Sequence, residues 1–203
     1  ILIFSKIGLI FFDYIAFFLL KKNYKLRASA SIRGKQFEIR STNSQFHSIY
    51  FDSFKKCYES DVFGAIMVYL PKKGKMIDIG SNWGHHTIVA AMLKKAFVVA
   101  FEPNTDAFND LSGIIKELNL EKRITAHNVG LSNKNGELNL TQRTFESGLA
   151  SFDDTFQSQL FGNKHWMLKL FDKLLLKKNI IQKIKINVLD EYFTANTQRV
   201  HLI

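Results

Sequence analysis

Residues 75–84 read Lys-Met-Ile-Asp-Ile-Gly-Ser-Asn-Trp-Gly, and this stretch decides the fold. The apolar run around Asp78 predicts a short buried strand, and a helical pattern follows Gly84. Gly80 can adopt backbone angles closed to other residues and leaves its main chain open to a ligand, while Gly84 lets the helix start close against the strand. A strand–turn–helix crossing of this kind forms the ligand site at the carboxyl edge of open α/β sheets.

Strands and helices alternate on the carboxyl side of this stretch. Apolar runs predict strands, and apolar residues at helical spacing predict helices. The predicted strands cover residues 75–79, 96–101, 123–129, 137–141 and 184–189, a further one begins at 200–203, and the predicted helices cover 84–95 and 104–118. Such alternation implies a mostly parallel sheet with right-handed crossovers. We therefore expect an α/β, Rossmann-like fold with three layers.

The segments before residue 75 read differently. A hairpin is predicted over residues 26–40 with its turn at Arg33-Gly34-Lys35, and a helix over 60–70 capped by Ser60 or Asp61. The sequence thus divides into an apolar helix and hairpin extension over residues 1–55 and a main domain over 56–203. Within that domain, residues 150–180 are interpreted as a helical insertion.

The chain is basic, and the charge is uneven. The formal net charge is +10, and residues 1–75 hold 13 Lys or Arg against 5 Asp or Glu, a local excess of 8. This excess indicates either a negatively charged surface nearby or simply a solvated lysine-rich face. Residues 1–20 are almost all apolar but contain Lys6 and Asp13, so a packed helix or an interfacial anchor is favoured over a membrane span.

Other features of the sequence narrow the setting. A single cysteine, Cys57, excludes a disulfide within the chain and fits a reducing, cytoplasmic compartment, with membrane association through the N-terminus as a further possibility. The chain begins without Met and ends within an apolar run, so we expect that sequence is missing at both ends. The oligomeric state does not follow from the sequence.

The second predicted strand ends in Glu102, 22 residues after Gly80. A carboxylate at that position can accept hydrogen bonds from both ribose hydroxyls of an adenosine. The loop reads D-x-G-x-N-x-G rather than the dinucleotide pattern G-x-G-x-x-G, and Asp78 would repel a pyrophosphate. S-adenosyl-L-methionine carries a sulfonium cation and no phosphate, so the loop and Glu102 together favour this cofactor over NAD.

These residues resemble the FkbM-type methyltransferases. Residues 76–87 resemble that family's D-x-G-[AS]-N-x-G-x-x-[ST] signature, and residues 101–104 (Phe-Glu-Pro-Asn) its F-E-P-[NS] signature. Residues 128–132, 147–151 and 188–191 are similar to later segments, with Gly130 where Ala is usual and Val188 where Thr is usual. The resemblance covers roughly residues 56–203.

The resemblance implies a class I methyltransferase fold and transfer of the sulfonium methyl group to a hydroxyl oxygen of a sugar or glycan, a lipid-linked compound or a polyketide-type acceptor. The family continues with K-I-D-V-E-G-x-E after a strand like residues 200–203, where this chain ends. His85 and His86 depart from the aromatic or small residues more usual in the family.

Each candidate residue has a role and a simpler alternative. The catalytic candidates are His85 and His86, since a neutral imidazole beside the loop can act as a base, although such residues often only pack. Glu59 could face the cofactor or only favour a helix start, and Asn128 could bond the adenine edge or only form a turn. The expected cofactor-binding residues are Glu59, Asp78, Gly80, Ser81, Asn82, Gly84, Glu102, Pro103, Asn128 and Val129.

Three other classes of protein remain as alternatives. A scaffold protein with an inactive Rossmann-like core would keep the fold but bind the cofactor weakly. A nucleic-acid methyltransferase that methylates amino groups usually has a D/N-P-P-Y/F clamp, which a chain with only Pro71 and Pro103 lacks, so no nucleic-acid partner is expected. An NAD(P) oxidoreductase lacks support from the glycine pattern. We expect no metal, since His85 and His86 are adjacent and should point apart on a helix.

Overall fold

A computed structural model describes residues 27–40, 59–143, 179–193 and 200–203. Eight strands and three α-helices lie in these ranges, followed by one 3₁₀ turn, Leu189–Tyr192. The strands are β1 (Arg27–Ile32), β2 (Lys35–Arg40), β3 (Lys75–Ile79), β4 (Phe97–Phe101), β5 (Ile124–His127), β6 (Gly130–Ser132), β7 (Gly136–Arg143) and β8 (Asn179–Val188). The helices are α1 (Ser60–Tyr69), α2 (His85–Leu93) and α3 (Thr105–Glu117).

The central sheet is parallel, as the sequence predicts. Its strands lie in the order β3-β4-β5, with Ile77 opposite Val99 and Val99 opposite Thr125. On the other side of β3, Leu202 forms a parallel bridge to Met76, and its carbonyl accepts the Ile77 N–H at 2.9 Å. The chain thus moves outward from β3 through β5 and then returns beside β3. This reversal of strand order is the topological switch point of a Rossmann-like α/β fold, where such folds bind ligands.

The two faces of this sheet bury different sets of side chains. Because successive side chains of a strand point to opposite faces, Met76 and Val98 contact the helices while Ile77 and Phe101 face away from them. The helical face buries residues from all three helices, among them Ile66, Ile88, Leu111 and Ile114. The other face is contacted by the segment that contains Leu189, Tyr192 and Phe193. The parallel sheet is one layer and the three helices on its one face are a second layer, so two of the three predicted layers are present in the described residues.

The strand predicted over residues 137–141 exists, but its expected place in the parallel sheet is wrong. It is part of β7, which pairs antiparallel with β8 in a second sheet of order β6-β8-β7. In β7 the side chain of Leu140 is buried against Ile184 and Ile186, whereas residues 136–139 are exposed. A strand with one solvated face is typical of antiparallel sheets, while parallel strands are buried on both faces. The short strand β6 was not predicted.

The N-terminal described elements follow the predictions, apart from one helix cap. Strands β1 and β2 pair antiparallel around a turn in which Arg33 and Gly34 have φ of 53° and 75°. Helix α1 begins where expected, but its N-cap is Glu59 rather than Ser60 or Asp61. Glu59 has φ 45° and forms no side-chain cap hydrogen bond, because its carboxylate contacts His86 instead.

Several predictions fall outside the described residues. These are the apolar segment over residues 1–20, the boundary between residues 55 and 56, and all of the proposed insertion over 150–180 except its last two residues, which begin β8. Within the described residues, none of the helices has both the length and the apolarity needed to cross a bilayer.

Gly84 is expected to be a determinant of stability. Its φ is 93°, and a Cβ atom added there would lie 2.3 Å from Cδ1 of the buried Leu111. We expect Gly84→Ala to lower the free energy of unfolding by about 2–4 kcal/mol, through backbone strain and overpacking together. Urea denaturation followed by circular dichroism measures the change.

Gly113→Ala is the matched control for this substitution. Gly113 lies within α3, and a Cβ atom there would meet no atom within 4 Å. The control should leave stability unchanged or raise it by about 0.5–1 kcal/mol, because alanine favours the helix. Equal stability of the Gly84→Ala and Gly113→Ala variants would contradict the proposed close approach of the loop to α3.

Candidate functional site

The loop between β3 and α2 forms a tight turn over the end of β4. The N–H groups of Gly80 and Ser81 both donate to the Phe101 carbonyl, at 2.9 and 3.0 Å, and the Gly84 N–H donates to the Ser81 carbonyl at 2.8 Å. Gly80 has φ 74°, and a Cβ atom there would contact nothing within 4 Å. Backbone geometry therefore explains this glycine, and open space lies beside its main chain, as a ligand-binding loop requires.

Glu102 joins this loop to the end of β4. One carboxylate oxygen accepts the Asn82 N–H at 2.7 Å, and the other accepts the Asn104 N–H at 2.8 Å. The glycine loop and the acidic residue of the second strand therefore lie together, as the sequence predicts. Asn104 itself caps α3, since its side chain accepts from the N–H groups of Asp106 and Ala107. The N-cap of α3 is therefore Asn104, and the Glu102 carboxylate bonds the N–H of this cap residue.

Asn82 and Trp83 complete the loop. Asn82 has φ 51°, a left-handed conformation that asparagine tolerates well, and its side-chain oxygen accepts the Trp83 N–H at 2.8 Å. The side chain of Asn82 thus orders the loop. The Trp83 side chain is only 2% exposed and packs in the core below the loop, so the loop is anchored on its inner side.

Asp78, at the end of β3, is held by a residue that the sequence analysis did not select. Its carboxylate accepts a hydrogen bond from the Thr87 hydroxyl at 2.5 Å. Burial raises the pKa of Asp78, while the bond from Thr87 and the nearby His86 oppose that rise. The resemblance already carried a signal for this residue, because Thr87 occupies the final [ST] position of the signature over residues 76–87.

Two carboxylates thus lie at this edge, with Glu102 buried and Asp78 half-buried. Burial raises the pKa of Glu102 to about 7, the N–H groups of Asn104 and Asn82 counteract this rise, and Asp78 adds to it. No Lys or Arg of the described residues forms an ion pair with either Asp78 or Glu102. A cationic group entering the crevice would therefore be stabilised by both carboxylates.

Glu59 and His86 form a second group beside this pair. Nε2 of His86 lies 2.5 Å from a carboxylate oxygen of Glu59, and the side chain of Glu59 is 46% exposed whereas that of His86 is 17% exposed. The expectation that His85 and His86 point apart is wrong, because their rings meet edge to face with centroids 4.9 Å apart. Burial, followed by the proximity of His86, lowers the pKa of His85 to about 4. His85 is therefore neutral at physiological pH and a weak base.

The end of β5 is tied to the segment that follows β4. The Asn128 side chain donates to the carbonyls of Glu102 and Pro103, at 2.8 and 3.1 Å, and accepts from the Thr105 hydroxyl at 3.3 Å. These bonds give Asn128 a structural role, and its predicted bond to an adenine edge stays a prediction. Val129 is buried on the face of the sheet away from the helices.

An aromatic group beside Asn128 was not predicted. The ring of His127 stacks on Phe101 with centroids 5.2 Å apart, and Tyr192 contacts both rings. Asn187 donates to the Tyr192 hydroxyl at 2.8 Å, which fixes that ring. The sequence offered little signal for this group, because Tyr192 lies 65 positions after His127 and comes from the turn after β8.

Within the described residues, no three His, Cys, Asp or Glu side chains are grouped as they would be around a metal ion. The candidate site is the carboxyl edge of β3, β4 and β5, where the reversal of strand order forms a ligand-binding crevice in folds of this kind. It brings together Asp78, Gly80, Ser81, Asn82 and Glu102, with the pair of Glu59 and His86 beside them. Asn128 joins the site through its bonds to the segment after Glu102.

No protein-family model and no curated protein matches this chain. Among solved structures, P. horikoshii TYW2 in complex with MeSAdo is similar at 17% identity and a TM-score of 0.39, over 53% of this chain and 37% of that chain. A SAM-dependent methyltransferase from Agrobacterium tumefaciens is similar at 17% identity and a TM-score of 0.38, over 55% and 34%. A putative rRNA-methylase from Clostridium thermocellum is similar at 20% identity and a TM-score of 0.32, over 35% and 39%.

The chain thus spans little more than a third of the length of these structures. Likeness this low does not establish a shared activity. The strand order around β3 is what identifies the fold.

Ionisation of Glu102 is expected to destabilise the folded protein. Its pKa of about 7 in the folded state exceeds the ordinary value of 4.5. Between those values the folded state holds a proton that the unfolded chain has released, so this contribution to stability is lost as pH rises through 7. The advantage in unfolding free energy of the wild type over Glu102→Gln should fall by up to about 3 kcal/mol between pH 5 and 8.

Urea denaturation of both proteins across this pH range measures the difference. Glu121→Gln, at an exposed carboxylate, is the control and should show no such pH dependence. A constant difference between wild type and Glu102→Gln would mean that the Glu102 carboxylate is ionised at all of these pH values.

Proposed function

We propose that this protein is an S-adenosyl-L-methionine-dependent methyltransferase that binds its cofactor in the crevice beside β3. The observation that carries the proposal is the position of Glu102. Its carboxylate lies at the tip of the second strand and is held 2.7 Å from the main chain of the glycine loop. A nucleoside lying over Gly80 would meet this carboxylate with its ribose hydroxyls, while Pro103 and Asn128 lie beside the position expected for adenine.

The charge of the crevice supports this cofactor over a dinucleotide. Glu102 is buried there and Asp78 is half-buried, and burial raises the pKa of both carboxyl groups because it disfavours their ionised form. A nearby positive charge stabilises the ionised carboxylates, whereas a further negative charge opposes their ionisation. A pyrophosphate would bring two more negative charges to this edge, whereas the ammonium and sulfonium groups of S-adenosylmethionine bring positive ones. Gly80 and Ser81 would line the methionine end, and the bond between Asp78 and Thr87 would keep that carboxylate in place.

The proposed acceptor is a hydroxyl group on a sugar or glycan, a lipid-linked compound or a polyketide-type molecule. This part of the proposal rests on the resemblance to FkbM-type enzymes over residues 76–87 and 101–104. The acidic edge formed by Glu59, Asp78 and Glu102 also supports an uncharged acceptor over a polyanion such as a nucleic acid, because like charges at the reaction centre oppose binding.

When bound, S-adenosylmethionine supplies a methyl group on a good leaving group. The main task of the protein is then to align the acceptor oxygen with that methyl group, which can accelerate the reaction by several orders of magnitude. A hydroxyl is a weak nucleophile, so a proton acceptor adds to the rate. Of the two candidate histidines, His86 suits this task better, because the buried His85 has a pKa of about 4.

We propose that the pair of Glu59 and His86 accepts the proton that the acceptor hydroxyl loses during methyl transfer. Glu59 is the exposed member and can meet a bulky acceptor, while Nε2 of His86 lies 2.5 Å from its carboxylate. Glu59 was expected to bind the cofactor, and its contact with His86 favours an acid–base role instead. His86 orients the carboxylate and shares its proton.

The main alternative to an enzyme is an inactive scaffold protein, which would bind S-adenosylmethionine only weakly. Titration calorimetry with S-adenosylmethionine decides between the two. Gly80→Ala should weaken binding at least tenfold, because the new methyl group would stand in the open space beside the loop. The loss corresponds to about 1.4 kcal/mol or more.

Gly34→Ala is the control matched to Gly80→Ala. Gly34 has φ 75°, close to the 74° of Gly80, and a Cβ atom there also meets nothing within 4 Å. Both substitutions should therefore cost similar stability, about 1–2 kcal/mol. Only Gly80→Ala should weaken binding. If the two variants bind S-adenosylmethionine equally well, the cofactor does not pass over Gly80 and the proposal fails.

The acid–base pair predicts a loss of rate without a loss of cofactor affinity. Glu59→Gln and His86→Asn should each lower methyl transfer by about 10²–10⁴-fold. The readout is transfer of a labelled methyl group from S-adenosylmethionine to a panel of hydroxylated sugars and lipid-linked glycans. Asp61→Asn, at an exposed acid in the same helix, is the control and should keep full activity. Weaker cofactor binding by the Glu59→Gln variant would instead mean that Glu59 binds the cofactor.

A further inference from the structure

The edge of the central sheet opposite the crevice is strongly basic. The loops that enter β3, β4 and β5, residues 70–74, 94–96 and 118–123, contain six Lys or Arg and one acidic residue, Glu121. The turn of the β1–β2 hairpin and the first residue of β3 add three more cations. We call this surface the basic edge, and it consists of Arg33, Lys35, Lys72, Lys73, Lys75, Lys94, Lys95, Lys122 and Arg123.

Main-chain contacts bring these separate loops together. The Lys73 N–H donates to the Lys94 carbonyl at 2.8 Å, and the Arg123 guanidinium donates to the Lys95 carbonyl at 2.5 Å. A groove of about 310 Å³ is lined by Arg33, Lys35, Lys95 and Arg123 together with the apolar residues Met92, Leu118 and Leu120. The cations therefore form one continuous surface and are not scattered over the domain.

The basic edge is separate from the proposed cofactor site. Strand β3 runs from Lys75 at the basic edge to Ile79 at the crevice, a distance of about 13 Å at 3.3 Å per residue. The charged groups at the crevice end, Glu59, Asp78 and Glu102, are acidic. The sheet therefore has a basic edge where its strands begin and an acidic edge where they end, and a ligand of the basic edge does not occupy the crevice.

We propose that the basic edge docks on an anionic lipid bilayer. The basic edge consists mainly of lysines from four loops, whose side chains are flexible. Such side chains can bind the negative headgroups of a flat bilayer, because this binding does not require the charges to lie at fixed distances from one another. Stable attachment to a bilayer takes two signals, of which a basic patch is one and an apolar segment the other. The chain supplies the second, because residues 1–20 are almost all apolar and are followed by Lys21, Lys22 and Lys25.

Co-sedimentation of the full chain with vesicles tests this surface. Vesicles of phosphatidylcholine with about 30% phosphatidylserine should bind the protein, and pure phosphatidylcholine should bind it at least about tenfold more weakly. The variant Arg33→Gln, Lys35→Gln, Lys95→Gln should lose at least about tenfold in partitioning to the anionic vesicles, and added salt should weaken binding of the wild type.

The matched control is Lys134→Gln, Lys183→Gln, Lys185→Gln, which removes the same charge from exposed positions on or beside the second sheet. It should lose less than about threefold in partitioning, because the lost charges lie outside the basic edge. Unchanged unfolding of both triple variants shows that the fold is kept.

Three results would overturn the proposal. Equal losses in the two triple variants would mean that only net charge matters, and equal binding to both kinds of vesicle would mean that apolar insertion suffices. Binding of a single-stranded oligonucleotide that depends on Arg33, Lys35 and Lys95, without vesicle binding, would make the surface a nucleic-acid site. Cofactor binding measured in parallel keeps these results distinct from any failure of the proposed methyltransferase function.

Discussion

The hydrogen bonds to the carboxylate of Glu102 hold the carboxyl edge of the sheet together. One oxygen holds the glycine loop at Asn82, and the other holds the start of α3 at Asn104. Asn128 connects the end of β5 to the same residue, since its side-chain amide donates to the main-chain carbonyl of Glu102. The carboxylate and the main-chain carbonyl of one residue therefore determine the relative positions of the ends of β3, β4 and β5. Burial also raises the pKa of the Glu102 carboxyl group to about 7, so the group that organises the site is stabilised by an approaching positive charge.

The core of this arrangement could be predicted because it depends on local patterns. The strand before Asp78, the loop with Gly80 and Gly84 and the acid at position 102 each follow from hydrophobic periodicity and glycine placement. The order of these elements in the sheet then follows from right-handed crossovers. Position in sequence was enough to place Glu102 beside the loop, since parallel strands end at one edge.

Other features depended on contacts that no local pattern reveals. The side chain of Glu59 could cap α1 or reach α2, and only the folded chain shows that it contacts His86. Strand β7 was assigned to the wrong sheet because its partner β8 lies 35 residues further along the chain. The stacking of Phe101, His127 and Tyr192 likewise joins distant segments. Thr87 fills the last position of the signature over residues 76–87, but its bond to the Asp78 carboxylate is visible only in the folded chain.

The burial of Trp83 gives the protein an optical probe of its own. Its indole is sealed in the core, and its backbone follows Asn82, the residue whose N–H is held by Glu102. Any ligand that loosens or tightens the loop would alter the surroundings of this ring. The chain has only one other tryptophan, Trp166, so intrinsic fluorescence in a Trp166→Phe background would report the state of the loop in real time, without an attached dye.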